Sequence, residues 1–203
     1  MNKKFLNLMM EIQKRQGLPY RLIMSVNELY IRLFLPRRVA QAQGYAELFK
    51  AGGNEFVIKA LDISDAPKVC DFFKYSIKTD GTDYVMPHKT DAASIAALFK
   101  RASHIPLGIF HGNDLIGYAL IRLLFPNSAS YAIFIAETWR GRGVGTFALG
   151  KQLDLIKRLG FQPHSAVSKK NERSLKMLKK LGIEYTGDLG DYYEVRDRNG
   201  ERV

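Results

Sequence analysis

The spacing of apolar residues divides the chain into two parts. Before residue 51, Leu29, Ile31, Leu33 and Leu35 stand among basic residues in a stretch of helical character, and Pro36 is expected to end or kink that helix. A second helix is predicted over about 38–50. The sequence Ala51-Gly52-Gly53-Asn54 predicts a linker. We therefore expect a basic, amphipathic helical extension and linker over 1–54 and a separate domain over 55–203.

After residue 54 the pattern alternates between strands and helices. Helices are expected to begin near Ser64 or Asp65, at Asp91, after the glycines at 141–145 and at Asn171, because these residues suit helix starts. The strands are predicted over 56–61, 106–111, 115–125, 131–135 and 191–195, and 106–125 read as a hairpin. This order predicts an α/β fold with a mixed, mostly antiparallel central sheet flanked by helices.

The most informative stretch is 139–146, WRGRGVGT, between a predicted strand and a predicted helix. Glycines let the main chain approach an anion closely, and the first N–H groups of a helix have no internal acceptor. Arg140 and Arg142 add positive charge. The stretch lacks the Gly-Lys-Ser/Thr ending of a nucleotide P-loop and the glycine spacing of a dinucleotide site. The pattern alone predicts an anion site without naming the anion.

A second motif follows at Asn171 and Ser174, before a helix that ends in Lys180-Leu181-Gly182-Ile183. Together with Arg140, Gly143 and Gly145 it resembles the two motifs of the GNAT N-acetyltransferase superfamily, in order and at a matching separation. The resemblance covers about 55–195 and is sharpest over 131–188. It implies the GNAT fold and acetyl-CoA as co-substrate.

The resemblance also implies which residues hold coenzyme A. The main chain of 133–135 is expected to pair with the pantetheine arm, the glycine turn to bind the pyrophosphate, and a main-chain N–H near Ile135 to polarise the thioester carbonyl. Asn171 is expected to bond the pantetheine or simply to cap its helix. The cofactor-binding set is Ile133, Phe134, Ile135, Arg140, Gly141, Arg142, Gly143, Val144, Gly145, Thr146, Asn171 and Ser174.

The usual proton-transfer residues of that family are missing. Leu178 stands where many members have the tyrosine that acts as the general acid. Ala129 and Ala166 stand near the positions of the family's usual glutamates. The spacing of Leu178 with its neighbouring leucines predicts a core residue. A hydroxyl for the leaving thiolate must come from elsewhere, and Tyr192 is our choice from the set Tyr131, Tyr185, Tyr192 and Tyr193.

His88 is our candidate for the general base. Its ordinary pKa suits proton removal near neutrality, and it lies in a polar loop between two early helices, where the family builds its acceptor site. A surface role and a water chain acting as base remain alternatives. His104, His111 and His164 are interpreted as loop or strand-end residues.

The net charge and the cysteine content limit which partners are expected. The net charge is +11, and 1–54 contributes +6 of it through nine Lys/Arg and three Glu. This favours anionic partners such as coenzyme A. The single Cys70 excludes an internal disulfide or a multi-cysteine zinc site, so no metal is expected and a reducing cytoplasm is predicted. No apolar run has the length of a transmembrane segment.

These observations predict an acetyl-CoA-dependent N-acetyltransferase acting on a primary amine. The acceptor is interpreted as an amino sugar or another anionic small molecule, with a protein or peptide amine as the alternative. A non-catalytic acyl-CoA-binding module is a second hypothesis, because the expected acid and bases are missing. Binding of the basic extension to a membrane surface is an added property at most, and nucleic acid is not expected. The extension is predicted to dock on the domain or on a second copy, which allows a homodimer.

Overall fold

The structure is a computed structural model that describes residues 18–77 and 88–197. Within these ranges the helices are α1 (Leu18–Phe34), α2 (Pro36–Gln43), α3 (Ala66–Asp71), α4 (Ala92–Phe99), α5 (Val144–Arg158) and α6 (Glu172–Lys180). The strands are β1 (Ala46–Ala51), β2 (Asn54–Ala60), β3 (His104–His111), β4 (Asp114–Leu124), β5 (Ser128–Ile135), β6 (Gln162–Ser168), β7 (Glu184–Leu189) and β8 (Tyr192–Arg196).

The strands form one sheet in the order β1-β2-β3-β4-β5-β6-β8-β7. Every neighbouring pair is antiparallel except β5 and β6, which run parallel and are joined through α5. The predicted α/β fold with a mostly antiparallel sheet is confirmed. Strand β7 was not predicted, because its sequence EYTGDL has few apolar residues and none of its side chains is fully buried.

The predicted helix over 38–50 is wrong in its second half. Helix α2 ends at Gln43, and 46–51 form β1, which pairs with β2 from Ala46↔Lys59 to Ala51↔Asn54. Phe49 is buried on β1 and stacks on Phe56 of β2, with ring centroids 5.3 Å apart. The predicted linker over 51–54 is likewise wrong, since Gly52 and Gly53 have positive φ angles and close a β-hairpin. The boundary predicted at residue 54 therefore falls inside one sheet.

The helices predicted before residue 44 are present, and α1 is tied to the sheet by polar contacts. Asn27 Nδ2 donates to the Leu123 carbonyl at 2.9 Å, and Asn27 Oδ1 accepts from the Phe125 N–H at 2.8 Å. Glu28 accepts from the N–H groups of Ala102 and Ser103, and Ile31 is fully buried. Residues 1–17 lie outside the described ranges. No described helix combines the length and the apolar character needed to cross a bilayer.

The two faces of the sheet carry separate cores. Alternating side chains of β3 to β6 and β8 pack with α2 and α5 on one face, where Ile121, Leu149 and Val195 are buried. On the other face, Phe73, Tyr118 and Phe134 pack with α3 and α4. Because cross-strand partners share a face, the register of the strands decides which polar side chains meet on this second face.

Candidate active site

Strands β5 and β6 separate at the centre of the sheet. Their ladder pairs are confined to Ser128↔Gln162, Ala129↔Pro163 and Ser130↔His164, although both strands continue beyond these residues. At the branch point the Ser165 hydroxyl donates to the Tyr131 carbonyl at 2.9 Å. Beyond it, 132–135 form one wall of an opening that we call the splay. The predicted pantetheine strand, 133–135, forms part of this wall.

The glycine turn lies at the open end of the splay. A short 3-10 turn, Glu137–Trp139, follows β5, and Gly141 and Gly143 then adopt φ angles of +76° and +82°. Gly143 is the N-cap of α5, and its carbonyl accepts from the Phe147 N–H at 3.1 Å. The preceding N–H groups, those of Val144, Gly145 and Thr146, have no intrahelical acceptor. The structure thus has the strand–turn–helix arrangement that the sequence predicts.

The two arginines of the turn have different surroundings. Arg140 Nε donates to the Ile135 carbonyl at 2.9 Å, so this side chain folds back on the end of β5. Arg142 is exposed, and its guanidinium carbon lies 5.1 Å from the centroid of the Trp139 ring. Arg142 is therefore the more accessible of the two charges, while Arg140 fixes the shape of the turn.

Helix α6 lies across the first turn of α5 from β5. Asn171 Oδ1 accepts from the Ser174 N–H at 3.0 Å, which confirms that Asn171 caps this helix. A β-carbon at Gly145 would lie 3.4 Å from Ile135 Cγ1 and 3.5 Å from Met177 Sδ. The first turn of α5 therefore sits directly between β5 and α6, and a larger residue at 145 would fill that space.

The position of the missing tyrosine is confirmed as core. Leu178 is 3% exposed, and its carbonyl accepts from the Ile183 N–H. Tyr192 is half-buried at the start of β8 and pairs with Ser168, the last residue of β6. Tyr193 points to the opposite face, and its ring centroid lies 4.9 Å from that of the tilted Tyr185 ring.

Tyr131 does not reach the second face, where α3 and α4 pack. It is buried in the α5 core, and among the described residues its hydroxyl has no hydrogen-bond partner. Of the four candidate tyrosines, Tyr192 stands beside β6 on that second face.

His88 lies against an aromatic cluster on the second face. Its Nε2 is 3.0 Å from the Tyr118 hydroxyl, and its Nδ1 is 2.7 Å from the Lys89 carbonyl. A carbonyl only accepts, so Nδ1 carries the proton and Nε2 accepts from Tyr118 in the neutral ring. The Phe73 ring packs edge-on against His88, and it also contacts Phe134 on the wall of the splay. Burial lowers the pKa of His88, with a contribution from nearby Arg122, so the neutral form is favoured.

A row of polar side chains crosses the sheet on the same face. The ladder pairs are His104↔Arg122, Arg122↔Ser130, Ser130↔His164 and His164↔Arg196, which together span β3, β4, β5, β6 and β8. We call these five residues the polar row. It passes through Ser130 and His164, the last pair before the splay opens, so it lies at the foot of the splay.

The polar row is electropositive. Arg122 and Arg196 are both half-buried, and Arg196 is paired with Glu194 through an Nη2–Oε1 distance of 2.8 Å. The His164 Nδ1 is 2.6 Å from the Ser128 hydroxyl, and burial together with Arg196 lowers the pKa of His164 to about 4. Burial and Arg122 lower the pKa of His104 to about 3. Because Glu194 already pairs with Arg196, an anion bound here would chiefly face Arg122, and its charge would favour protonation of a histidine.

This row was not predicted from the sequence. His104 is the first residue of β3, as the strand-end interpretation expects, whereas His164 lies inside β6, so that interpretation is wrong for His164. Both histidines pair directly with other members of the row. The available signal was the alternation of polar and apolar side chains, such as Arg122 between Ile121 and Leu123. His111, by contrast, packs on Trp139 near the glycine turn, with ring centroids 4.6 Å apart.

Comparison with known proteins agrees with this architecture. The family model described as "Acetyltransferase (GNAT) family" matches residues 71–183. No curated protein sequence matches the chain significantly.

Solved structures share the fold at low sequence identity. The GNAT domain of S. lividans PAT is 12% identical, with a TM-score of 0.67, and the match covers 75% of this chain and 96% of that one. The ribosomal-protein-S5-alanine acetyltransferase from Vibrio fischeri is 15% identical, with a TM-score of 0.64 and coverages of 77% and 98%. The PaiA N-acetyltransferase from Thermoplasma acidophilum, solved with coenzyme A, is 17% identical, with a TM-score of 0.61 and coverages of 70% and 98%.

More than half of the chain matches the family model, and the splay, the glycine turn and the Asn171 cap stand where the two motifs predict them. The chain belongs to the GNAT family of N-acetyltransferases, which use acetyl-CoA as co-substrate.

Proposed function

We propose that this enzyme transfers the acetyl group of acetyl-CoA to the primary amine of a small anionic acceptor, an amino sugar being one candidate. The observation that carries the proposal is the polar row, which puts Arg122 and Arg196 at the foot of the splay. A strand rises about 3.3 Å per residue, so Ser130 lies roughly 10 Å below Ile133 on the same strand. An acceptor with its anionic group on the row and its amine toward the splay spans that distance.

In this proposal the cofactor is held mainly by main chain. The N–H groups of 141–146 bind the pyrophosphate, and the strand edge at Ile133 and Phe134 pairs with the pantetheine arm. The Ile135 carbonyl already accepts from Arg140, so the pantetheine bonds fall on the residues before it. Arg142 supplies an accessible charge beside the phosphates, and Asn171 and Ser174 hold α6 against the arm.

His88 serves as the general base. An ordinary primary amine has a pKa of about 10 and must lose a proton before it attacks. The neutral His88 ring is held by the Lys89 carbonyl at one nitrogen and by Tyr118 at the other. The Nε2 lone pair accepts from Tyr118 in the resting state, so the Tyr118 hydroxyl must release this bond as the amine approaches. Nε2 then takes up the amine proton, and the Tyr118 oxygen can accept from the N–H that forms. Tyr118 is therefore proposed as a positioning residue for the base.

Tyr192 is proposed to stabilise the departing thiolate. It is half-buried, lies beside the last residue of β6, and stands on the same face of the sheet as the polar row. A peptide amine remains the alternative acceptor, since one of the structural matches is named for a ribosomal-protein alanine. If the acceptor were a peptide without an anionic group, the polar row would have no part in binding it.

Thiol release from acetyl-CoA, measured over a panel of amino sugars, amino acids, peptides and polyamines, tests the proposal. We expect the best acceptors to carry a phosphate or carboxylate. Arg122→Gln should raise KM for such an acceptor about tenfold or more while the KM for acetyl-CoA is unchanged, since one charge-assisted contact contributes about 1.5–3 kcal/mol. Arg37→Gln, at an exposed position on α2, is the control. Equal activity on neutral and anionic acceptors, with no effect of Arg122→Gln, would contradict the anionic acceptor.

A further inference from the structure

Helix α1 presents a continuous apolar face to solvent. Leu18, Leu22, Val26, Leu29 and Leu33 follow the spacing of one helical face, and each side chain is between 58% and 84% exposed. The opposite side of the helix carries Asn27 and Ile31, which are buried against the sheet. The exposed face is therefore not a misplaced core surface, because the core-facing side of α1 is already filled.

Aromatic side chains extend this face at the carboxyl end of α1. Phe34 stacks on Tyr30 at 5.2 Å, and the Phe125 ring packs on Tyr30 at 4.6 Å. Phe34 and Phe125 are both more than half exposed. Together with the five residues above, they form what we call the α1 face. Monomeric soluble proteins seldom expose a contiguous apolar patch of this kind without a partner.

A cationic groove lies beside the α1 face. It has a volume of about 300 Å³ and runs between α2 and the α4–β3 connection, where Arg32, Lys100 and Arg101 contribute to its lining. The Arg32 Nη2 donates to the Lys100 carbonyl at 2.9 Å, which fixes the groove next to α1. Arg21 is exposed one helical turn before Ser25, on the same flank as Arg32.

The acidic side chain of this region is turned inward. Glu28 is the one acid between residues 18 and 46, and its carboxylate accepts from Ser103 Oγ at 2.6 Å, from two main-chain N–H groups and from Arg32. Its charge is used to hold α1 to β3. Glu28 thus pairs with Arg32, and the outer surface of α1 and the adjoining groove combine exposed apolar side chains with the further positive charges of Arg21, Lys100 and Arg101.

We propose that the α1 face and its cationic groove dock this protein on an anionic lipid bilayer. Leucine, valine and phenylalanine side chains would enter the boundary between headgroups and acyl chains, and the flanking arginines and lysine would meet the lipid phosphates. The helix would lie in the plane of the surface. Charge complementarity decides for this occupant over a second copy of the chain, because a second copy would bring an equal set of cations to the same face.

This docking leaves the cofactor cleft open. Asn27 binds the carboxyl end of β4, at Leu123 and Phe125, whereas the glycine turn follows Ile135, which pairs with Gly117 near the amino end of β4. The α1 face and the cofactor cleft thus lie toward opposite ends of the central strands. The bound enzyme would keep its splay directed away from the bilayer.

Co-sedimentation of the full chain with vesicles tests the proposal. We expect binding to vesicles of phosphatidylcholine mixed with phosphatidylglycerol and little binding to phosphatidylcholine alone. The pair Leu22→Gln/Leu29→Gln should lower binding about tenfold or more, because each removes apolar side chain from the bilayer boundary. The matched control is Leu48→Gln/Ile63→Gln, which changes two exposed apolar side chains elsewhere on the surface.

A second pair of double substitutions tests whether binding requires the positive charges. Lys100→Gln/Arg101→Gln should weaken binding to the anionic vesicles several-fold, whereas Lys50→Gln/Lys68→Gln, at two exposed lysines outside the region, should not. All variants are at exposed positions, and an unchanged melting temperature verifies their folding. Three results would overturn the proposal: no vesicle binding, equal loss in the control pairs, or a dimer in light scattering that Leu22→Gln/Leu29→Gln converts to monomer without any vesicle binding.

Discussion

The Nε2 atom of His88 lies 3.0 Å from the hydroxyl oxygen of Tyr118, a side chain with no solvent exposure. This contact joins a residue of a connecting loop to the strand next to the splay. It gives the proposed base a fixed tautomer, because the Lys89 carbonyl occupies the other ring nitrogen. The proposed mechanism depends on this pair more than on any other side-chain contact.

Replacing His88 should affect chemistry more than binding. We expect His88→Gln to lower turnover by about 10²-fold or more, since loss of a positioned general base typically costs 10²–10⁴-fold. Calorimetry should find acetyl-CoA affinity unchanged. Tyr118→Phe should cause a smaller loss, because it removes only the partner that orients the ring. Retention of most of the turnover in His88→Gln would favour a water chain as the base.

The pH profile offers a separate test of His88. Burial and Arg122 lower its pKa below the ordinary 6.5, so the base stays neutral down to more acidic pH than a free histidine would. The acid limb of kcat/KM is therefore expected below pH 6.5. In Arg122→Gln one cause of the lowering is removed, and the limb should move to higher pH. An acid limb that stays in place in Arg122→Gln, or persists in His88→Gln, would assign it to another group.

Gly143 tests the cofactor site through the backbone. Its φ of +82° is unfavourable for any residue with a β-carbon, so Gly143→Val should distort the turn that presents the N–H groups of α5. Acetyl-CoA affinity should fall tenfold or more, about 1.4 kcal/mol, by calorimetry.

The matched control for this substitution is Gly112→Val, which carries the same kind of strain, at φ +58°, in the β3–β4 hairpin. Equal affinity of the two folded variants for acetyl-CoA would show that the glycine turn is not part of the cofactor site.

Leu178 tests whether the departure from the family pattern is structural. It is buried between α6 and the sheet, so Leu178→Ala should destabilise the fold by roughly 2–5 kcal/mol in denaturant unfolding. Leu178→Met keeps most of the volume and should cost less than about 1.5 kcal/mol. A variant of normal stability with altered acetyl transfer would show instead that the side chain borders the reaction centre.

The parts of the fold that sequence predicted are those determined locally. Gly143 and Asn171 act within four residues of their own positions, as a left-handed N-cap and a side-chain cap, so their roles follow from the residues themselves. Strand β1 could not be predicted in this way. Residues 46–50 also suit a helix, and their pairing with β2 across the hairpin, which includes Phe49 with Phe56, makes them a strand.

The acceptor side depends on contacts between distant residues. Arg122 and His164 are brought to one row by the register of two successive strand pairs, which no short window of sequence encodes. From sequence, Tyr118 is an ordinary core residue. Only the fold shows that it contacts His88, 30 positions earlier in the chain. For this reason the cofactor motifs were found from sequence and the polar row was not.

The most direct test of the account is a crystal structure of the enzyme with acetyl-CoA. We expect the pyrophosphate on the N–H groups of 141–146, the pantetheine arm along Ile133 and Phe134 inside the splay, and the thioester on the side of the sheet that carries His88 and the polar row. Two results would contradict this expectation. One is acetyl-CoA bound outside the splay, and the other is a thioester on the face of the sheet opposite His88 and the polar row.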